Sequence, residues 1–344
     1  SSMVFSLVST PVSAAETGQL TNPPTSTEEL SSPESISGNE AASALNGLSV
    51  LAANGEAEVT TASELTGALA DSSISRITLK GDIDIGSTLT VNRTVTLDLN
   101  GCVLKMTGSD SVIKVEADGD LTIQDRNTTT QHKFNPHCKY LTWYIDMWEL
   151  DNGGSEIVSG GVITGGGGDQ SNGGGVLVAG GTLVMAGGSI VGCSAMSRGG
   201  GVCNNGTFIM SDGMIKGCTS PDGQYASGGG VRNSNQFTMT GGMIGDPDNE
   251  NDASHVYNTS SQETTLTISG NAKIYTDITN VGILNADGGE IAGTMTNDTN
   301  RYGTGTITGS EGAAGSTKFQ DKVTNNGTIR KGTFTNEVIN ESSG

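Results

Sequence analysis

Asp98, Asp125 and Arg126 are the residues of this sequence whose types and spacing come nearest to acid–base chemistry. Asp98 lies in TLDL, Asp125 closes LTIQD, and Arg126 follows it directly. Hydrolysis of a glycosidic bond uses two close carboxylates, and eliminative cleavage of a polysaccharide uses acids that hold calcium together with a basic residue. No further acids recur beside this pair, and an aspartate after a strand commonly binds turn amides. A structural role is the favoured interpretation, with catalysis as the alternative.

A run of acids at alternate positions within GDPDNENDASHVYN (residues 245–258) is the candidate metal site, formed by Asp246, Asp248, Glu250 and Asp252. Calcium loops place oxygen ligands at such positions. Asn251, however, stands where an EF-hand loop needs Gly, and no Glu follows at its twelfth position. A solvated turn explains the same residues, so the sequence predicts no cofactor, with calcium at this segment as the alternative.

The most unusual segment is HKFNPHCKYLTWYIDMWEL, residues 132–150. It contains both tryptophans and five of the chain's aromatic residues, namely Phe134, Tyr140, Trp143, Tyr144 and Trp148. Clustered Trp and Tyr side chains can form a platform for sugars or an anchor for a protein partner. Alternatively, the rings cover an otherwise exposed flank of the fold. Covering is the favoured interpretation, and these five residues are nevertheless the candidate ligand-binding set.

The composition argues against several classes of partner. The net charge is −20 with only 17 Lys and Arg residues, whereas nucleic-acid binding needs basic residues that neutralise phosphates. Binding to anionic lipid is disfavoured for the same reason, and no apolar run long enough to span a membrane follows the N-terminal segment. Hydrophobic residues make up 33% and glycines number 52. A core built from so few apolar side chains must be thin, as in repeat proteins.

The N-terminal residues divide into two segments. Residues 1–14 are moderately apolar and end in Val-Ser-Ala, a small-x-small pattern typical of signal-peptide cleavage. We interpret them as the remainder of a signal peptide, although no basic segment precedes them. Residues 15–57 are rich in Ser, Thr, Glu and Pro, which predicts a flexible linker. Together these segments predict a secreted or cell-surface protein.

The next residues predict a short helix followed by many short strands. Thr61 or Ser63 can cap a helix that ends near Ala70. Strand signals of four to six residues follow at short intervals, separated by Gly or polar breaks. They are RITL, DIDI, TLTV, TVTLDL, CVLKM, SVIKVE and LTIQD. The segment 127–158, which contains the aromatic cluster, interrupts this rhythm as an insertion.

An internal repeat then defines the architecture. Three units read GVLVAGGTLVMAGGSIVGC, GVCNNGTFIMSDGMIKGC and GVRNSNQFTMTGGMIGDP, and their methionines Met185, Met210 and Met239 are 25 and then 29 residues apart. Three strands and three turns in about 25 residues form one coil of a parallel β-helix. Crossovers between parallel strands are right-handed by default. The sequence therefore predicts an all-β fold over residues 58–340, a right-handed parallel β-helix with a short N-terminal capping helix.

The repeat also brings cysteines together. Cys193 and Cys218 are 25 residues apart, so they should stack on neighbouring coils within reach of a disulfide. The favoured interpretation is a ladder of free, buried thiols that act as small hydrophobic side chains.

Two stretches resemble known families. ASELTGALADSSISRITLKGDIDIGSTLTVNRTVTLDLNGCVLKM is similar to the start of pectate-lyase-like right-handed β-helices. The pattern GGVxxxGTFxMxxGxIxGC resembles the repeat of large adhesin-like surface proteins of Gram-positive gut bacteria. Together these resemblances cover about residues 58–340. This fold carries lyases, hydrolases and pure binding proteins, so the resemblance implies the fold more strongly than the activity.

These observations favour a non-enzymatic, adhesin-like module that presents loops from a rigid β-helix to a glycan or to a host or bacterial surface protein. The first alternative is a polysaccharide-active lyase or glycoside hydrolase of the same fold. The second is a structural stalk that only projects another domain. The oligomeric state is left open by the sequence.

Overall fold

The computed structural model describes residues 55–139, 146–167, 172–220, 228–249, 252–259, 264–300 and 303–341, with only the backbone described for 137–139 and 146–147. All of them belong to one compact unit. The predicted signal-peptide remainder at 1–14 and all but the last residues of the linker at 15–57 lie outside the described residues. The first strand begins at Glu56, within the segment predicted as linker.

The only helix among the described residues, α1 (Ala62–Ala70), begins at one of the two predicted caps. The Thr61 hydroxyl accepts a hydrogen bond from the Glu64 N–H (3.2 Å), and the Glu64 carboxylate accepts one from the Thr61 N–H (3.1 Å). This capping box satisfies backbone donors that have no partner inside the helix. The apolar face of the helix is buried in the main core through Leu65, Ala68 and Leu69.

Arg93 fastens the end of α1 to the first coils. Its guanidinium donates hydrogen bonds to the carbonyl oxygens of Ala68 (2.8 Å), Leu69 (2.9 Å) and Ile74 (2.6 Å). The last carbonyls of a helix need partners outside it, and a basic side chain can supply them. Arg93 therefore ties the helix to the strands.

Most of the first strands alternate buried and more exposed side chains. They are β1 (Glu56–Val59), β2 (Arg76–Leu79), β3 (Ile83–Ile85), β4 (Leu89–Val91), β5 (Thr94–Asp98), β6 (Val103–Met106), β7 (Ile113–Val115) and β8 (Asp120–Gln124). Three strands then form a separate antiparallel sheet, with the first strand in the middle: β9 (Gln131–Lys139), β10 (Asp146–Leu150) and β11 (Glu156–Ser159). We call residues 131–159 the inserted hairpin sheet.

The coils resume after the insertion. Their strands are β12 (Val162–Thr164), β13 (Val176–Val178), β14 (Thr182–Val191), β15 (Val202–Asn204), β16 (Thr207–Lys216), β17 (Val231–Asn233), β18 (Gln236–Met239), β19 (Met243–Ile244) and β20 (Val256–Asn258). The later coils contain β21 (Thr265–Ile268), β22 (Lys273–Ile274), β23 (Ile278–Asn280), β24 (Ile283–Ala286), β25 (Glu290–Ile291), β26 (Met295–Asn297), β27 (Thr299–Asn300), β28 (Gly303–Thr304), β29 (Thr306–Thr308), β30 (Lys318–Phe319), β31 (Val323–Asn325), β32 (Thr328–Ile329), β33 (Thr333–Phe334) and β34 (Val338–Asn340).

These strands stack in parallel on three faces. The first face contains β1, β2, β5, β8, the start of β14 and of β16, β18, β21, β24, β29 and β32. The second face contains β3, β6, β12, the end of β14 and of β16, β19, β22, β25, β30 and β33. The third face contains β4, β7, β13, β15, β17, β20, β23, β26, β31 and β34. The protein is therefore a parallel β-helix with a short helix near its N-terminal end.

The predicted stacking of the repeat is confirmed. Val176, Val202 and Val231 are partners in the ladder of the third face. The three methionines at 185, 210 and 239 are partners on the first face, and all six side chains are fully buried. Ten described strands on the third face, about 4.8 Å apart, give a stack roughly 45 Å long. Equivalent residues of successive coils thus form the thin core as continuous columns.

A ladder of asparagines runs inside the third face. The Nδ2 of each residue donates to the Oδ1 of the next, at 2.7–2.9 Å, through Asn204, Asn233, Asn258, Asn280, Asn297, Asn325 and Asn340. The first five side chains are fully buried. Most of their amides also donate to backbone carbonyls of the next coil, as Asn258 does to Ile283 O (3.1 Å). The ladder therefore satisfies buried turn groups and holds neighbouring coils together.

The cysteines of the coils are free. Cys193 and Cys218 lie on neighbouring coils and are fully buried, with no disulfide between them. Burial raises the pKa of the Cys218 thiol, the largest influence on it, so this group stays protonated. The described thiols at these positions pack as small apolar side chains.

Candidate functional site

The base of the inserted hairpin sheet packs on the outside of the second face. Phe134 and Trp148 are 0% and 1% exposed, and their ring centroids are 6.3 Å apart. They form a second apolar cluster with Val103, Val158, Val162 and Val191, against which Leu150 also packs. Three of these valines point outward from β6, β12 and β14, because their neighbours in the strand face the core. The insertion thus covers apolar side chains that the coils alone would leave exposed.

Backbone contacts bring Trp148 close to two equivalent turns. The Trp148 N–H donates to Gly217 O (3.2 Å). A Cβ at Gly217 would lie 2.1 Å from the Trp148 ring, and a Cβ at Gly192 would lie 1.9 Å from its carbonyl oxygen. Both glycines also have positive φ angles, of 59° and 62°. Only glycine fits at either position. The packing of Trp148 therefore depends on these two glycines of the coils beneath it.

Trp148 also contacts a buried charge. The Nζ of Lys216 lies 4.2 Å from the centroid of the Trp148 ring and 3.4 Å from Oδ2 of Asp246. The side chains of the lysine and the aspartate are 9% and 5% exposed. A cation over an indole face is attracted by the ring quadrupole, more strongly when desolvated. The ion pair and the ring therefore stabilise one another under the insertion.

Two of the five aromatic candidates lie in this base, and the other three lie in residues 140–145, the connection between β9 and β10 that we call the tip. Phe134 and Trp148 were predicted as ligand-binding residues, but the structure buries both in the flank cluster, so neither presents a ring face to solvent. Tyr140, Trp143 and Tyr144 fall in residues 140–145, which lie outside the described residues. The chain passes through those residues between β9 and β10, whose paired ends are Lys139 and Asp146.

Asp98 and Arg126, predicted as weak catalytic candidates, form a structural ion pair. The carboxylate of Asp98 is fully buried and accepts hydrogen bonds from the N–H of Asn100 (3.0 Å), the amide of Gln124 (3.1 Å) and the Nε of Arg126. The guanidinium also donates to the Thr78 hydroxyl (3.2 Å). The oxygens of Asp98 are thus occupied by groups of its own turn and of the next coil.

Asp125, the third catalytic candidate, likewise binds turn amides. Its Oδ1 accepts from the N–H of Gly101 (2.7 Å) and its Oδ2 from the N–H of Gly161 (2.8 Å). Gly101 belongs to the preceding coil, whereas Gly161 belongs to the same coil as Asp125, at the point where the chain returns from the insertion. The carboxylate therefore joins two neighbouring coils and the end of the insertion at one corner.

Acidic side chains of residues 245–258 also accept hydrogen bonds from backbone amides. Asp252 accepts hydrogen bonds from the N–H groups of Gly217 (3.1 Å) and Ser254 (2.9 Å), while Asp246 accepts from the N–H of Asp248 (3.1 Å) and pairs with Lys216. Asp248 is exposed, and Glu250 lies outside the described residues. Within the described ranges no group of three acidic, histidine or cysteine side chains can hold a metal ion. Asp246 and Asp252 thus bind protein donors, whereas Asp248 faces solvent.

A polar groove on the third face emerges only from the three-dimensional arrangement. It has a volume of about 300 Å³ and follows three successive coils. Tyr257, Thr279 and Thr296 are ladder partners that point outward, since the residues flanking each of them are buried. His255, Asp277 and Thr294 precede these strands and form a parallel column. We call these six residues the groove array.

Two features of the groove concern hydrogen bonding. Asp277 Oδ1 accepts a hydrogen bond from the Thr294 N–H (3.0 Å), which fixes the carboxylate along the groove. Ser220 also lines the groove, and its hydroxyl oxygen is buried without a hydrogen-bond partner among the described residues. Burial raises the pKa of Tyr257, so its phenol remains a donor at neutral pH.

Comparison with known proteins adds one match. A family model described as "Putative pectate lyase-like adhesive domain" matches residues 56–159, which include α1, the first coils and the inserted hairpin sheet. The matched range is less than a third of the chain, and together with the parallel sheets it fits a pectate-lyase-like β-helix. Searches of curated proteins and of solved structures returned no match. Among the described residues no helix is long and apolar enough to cross a membrane.

Sequence reasoning missed the asparagine ladder and the groove array. The ladder has a visible signal, because each third-face strand of the later coils ends in Asn, as in VCN, VRN, VYN and ITN. The groove has no such signal, because one of its two columns, His255, Asp277 and Thr294, changes residue type from coil to coil. Lys216 was also missed, since a single lysine in a repeat gives no sign of a buried partner.

Proposed function

We propose that this protein is a non-enzymatic, adhesin-like module of the extracellular space or cell surface, which uses the inserted hairpin sheet to hold a glycan or a protein of a host or neighbouring cell. The match of residues 56–159 to an adhesive domain supports this proposal. The resemblance of the repeat to surface proteins of Gram-positive gut bacteria supports the location and suggests the source.

The observation that carries the proposal is the anchored base of the hairpin, from which β9 and β10 lead to residues 140–145. Phe134 and Trp148 fix the base against the coils. The three tip aromatics, Tyr140, Trp143 and Tyr144, are the remaining members of the predicted set. A recognition loop needs such a rigid support, because binding then loses less conformational entropy. The catalytic alternative lacks comparable support, since Asp98 and Asp125 are engaged with the backbone.

The test is a glycan-array and surface-protein binding screen on the full chain. Trp143→Ala and Tyr144→Ala should each weaken binding of the partner at least tenfold and leave the melting temperature unchanged. Ile157→Ala is the matched control, because Ile157 lies in the same sheet, is 51% exposed and is far along the chain from the tip. Equal binding by the wild type and both tip variants would refute a role for the tip.

A further inference from the structure

We propose that the groove array on the third face is a carbohydrate-binding site for a neutral sugar unit of a glycan. It lies apart from the inserted hairpin sheet, which covers the second face, so it does not depend on the function proposed for the hairpin. Its volume of about 300 Å³ stands at the lower end of ligand pockets, a size suited to a sugar ring.

The chemistry of the groove favours hydroxyl groups as ligands. The groove array combines an imidazole, a phenol, a carboxylate and three threonine hydroxyls. Sugar hydroxyls both donate and accept hydrogen bonds, so they can pair with a mixture of donors and acceptors. A ligand with only acceptor atoms, such as a phosphate, would instead meet the carboxylate of Asp277 in a chain of net charge −20.

The spacing of the groove array is set by the β-helix. Ladder partners such as Tyr257 and Thr279 lie about 4.8 Å apart, and His255, Asp277 and Thr294 each stand two positions earlier in the chain, directly before the strand. The polar groups therefore form a fixed grid of two columns and three rows. Because the strands hold the grid in place, little ordering is required when a ligand binds.

The ladder offers an internal control for the experiment. Thr279, Thr296 and Thr324 are successive partners in one outward column, but Thr324 lies beyond the groove. Thr→Val keeps the shape of the side chain and removes its hydroxyl. Asp277→Asn keeps an oxygen that can accept the Thr294 N–H and removes the charge. These variants therefore probe the groove with the fold retained.

The experiment is calorimetric titration of the full chain with glucose, galactose, mannose, N-acetylglucosamine and short oligomers of each, with galacturonate oligomers and inorganic phosphate in parallel. We expect at least one neutral saccharide to bind, and its affinity to fall at least tenfold in Asp277→Asn and Thr279→Val. Thr324→Val and the tip variant Trp143→Ala should bind it as the wild type does.

Three outcomes would overturn the proposal. They are the absence of binding by every neutral saccharide, equal binding by the wild type and both groove variants, and tighter binding of phosphate or galacturonate than of any neutral sugar. Failure of the hairpin proposal would appear separately, as partner binding that is unaffected by Trp143→Ala. Loss of saccharide binding in Trp143→Ala alone would transfer the sugar site to the hairpin tip and also overturn the groove proposal.

Discussion

The Nζ of Lys216 lies 4.2 Å from the centroid of the Trp148 ring, although the tryptophan belongs to the inserted hairpin sheet and the lysine to a coil of the β-helix. Lys216 is the ladder partner of Val191, which belongs to the apolar cluster under the hairpin. This column of outward-facing residues is thus apolar at Val191 and charged at Lys216, and both residues lie beneath the Trp148 ring. The insertion and the coils therefore share one buried contact surface.

Replacement of Trp148 should detach the insertion. We expect Trp148→Ala to lower the stability of the inserted hairpin sheet by about 3–5 kcal/mol, because a large buried ring is lost and a cavity remains. Coils of a solenoid are stabilised chiefly by their neighbours, so the third face should remain folded. Hydrogen exchange measures both effects, as lost protection in residues 131–159 and retained protection in β15 to β26. Unchanged exchange in the insertion would show that Trp148 does not anchor it.

The Lys216–Asp246 pair offers a second test of the same surface. Lys216→Met should destabilise the protein by about 3–5 kcal/mol, because it leaves the carboxylate of Asp246 buried without a counter-charge. The double variant Lys216→Met/Asp246→Asn should recover part of this loss. Chemical denaturation of the wild type, both single variants and the double variant gives the coupling energy. Strict additivity of the two substitutions would contradict a coupled pair.

The asparagine ladder predicts a contrast between its middle and its end. Asn258→Ala should lower the free energy of unfolding by at least about 2 kcal/mol, because Asn233 Nδ2 loses an acceptor and Asn280 Oδ1 loses a donor in the buried interior. Asn340→Ala removes only the final bond of the ladder, where the side chain is exposed. It should cost less than about 0.5 kcal/mol. Similar thermal shifts for the two variants would argue that the ladder contributes no stability.

Asp252 predicts a dependence of stability on pH. Burial is the largest influence and raises the pKa of its carboxyl above the ordinary value, while hydrogen bonds from Ser254 and Gly217 oppose it. The folded state then binds the proton more tightly than the unfolded state, so this group stabilises the fold at low pH. The contribution of Asp252 to stability falls as pH rises from the ordinary carboxyl pKa, about 4, through the higher pKa of the folded state.

The matched measurement compares the wild type with Asp252→Asn, whose amide oxygen can still accept from the backbone. The melting temperature of Asp252→Asn should rise relative to that of the wild type as pH increases from about 4 to 7. Asp287 is the control, because its contribution to stability should change with pH in the opposite direction. Burial would raise its pKa, but hydrogen bonds from Ser310 and Lys331 together lower it, so its contribution grows with pH. A constant difference between wild type and Asp252→Asn would rule out the proposed titration.

Local patterns in the sequence were enough to predict the helix and the coils. The capping box at Thr61 and Glu64 is a contact within one turn, and the stacking of Val176, Val202 and Val231 follows from a repeat that places one residue per coil. Such features depend on neighbours in the chain or on neighbouring coils at a regular interval. The asparagine ladder obeys the same rule and its signal was present in the strand ends.

Local patterns could not predict the role of the aromatic residues. A tryptophan can serve equally as a binding surface or as a core side chain, so the spacing of Phe134 and Trp148 was compatible with either role. Their burial depends on three valines from separate coils that happen to form an apolar strip. Similarly, the carboxylates of Asp98 and Asp125 could be assigned only when the amides that face them were located.

The sequence by itself determined that this protein is a thin-cored, acidic β-helix with a capped start and an aromatic insertion. Its repeat fixes which residues stack, because a parallel ladder pairs equivalent positions of successive coils. The tertiary structure decided which outward residues are covered, which acids are engaged and where a groove remains. Those properties depend on contacts between segments that are far apart in the chain, such as Trp148 with Lys216, and no local period in the sequence encodes them.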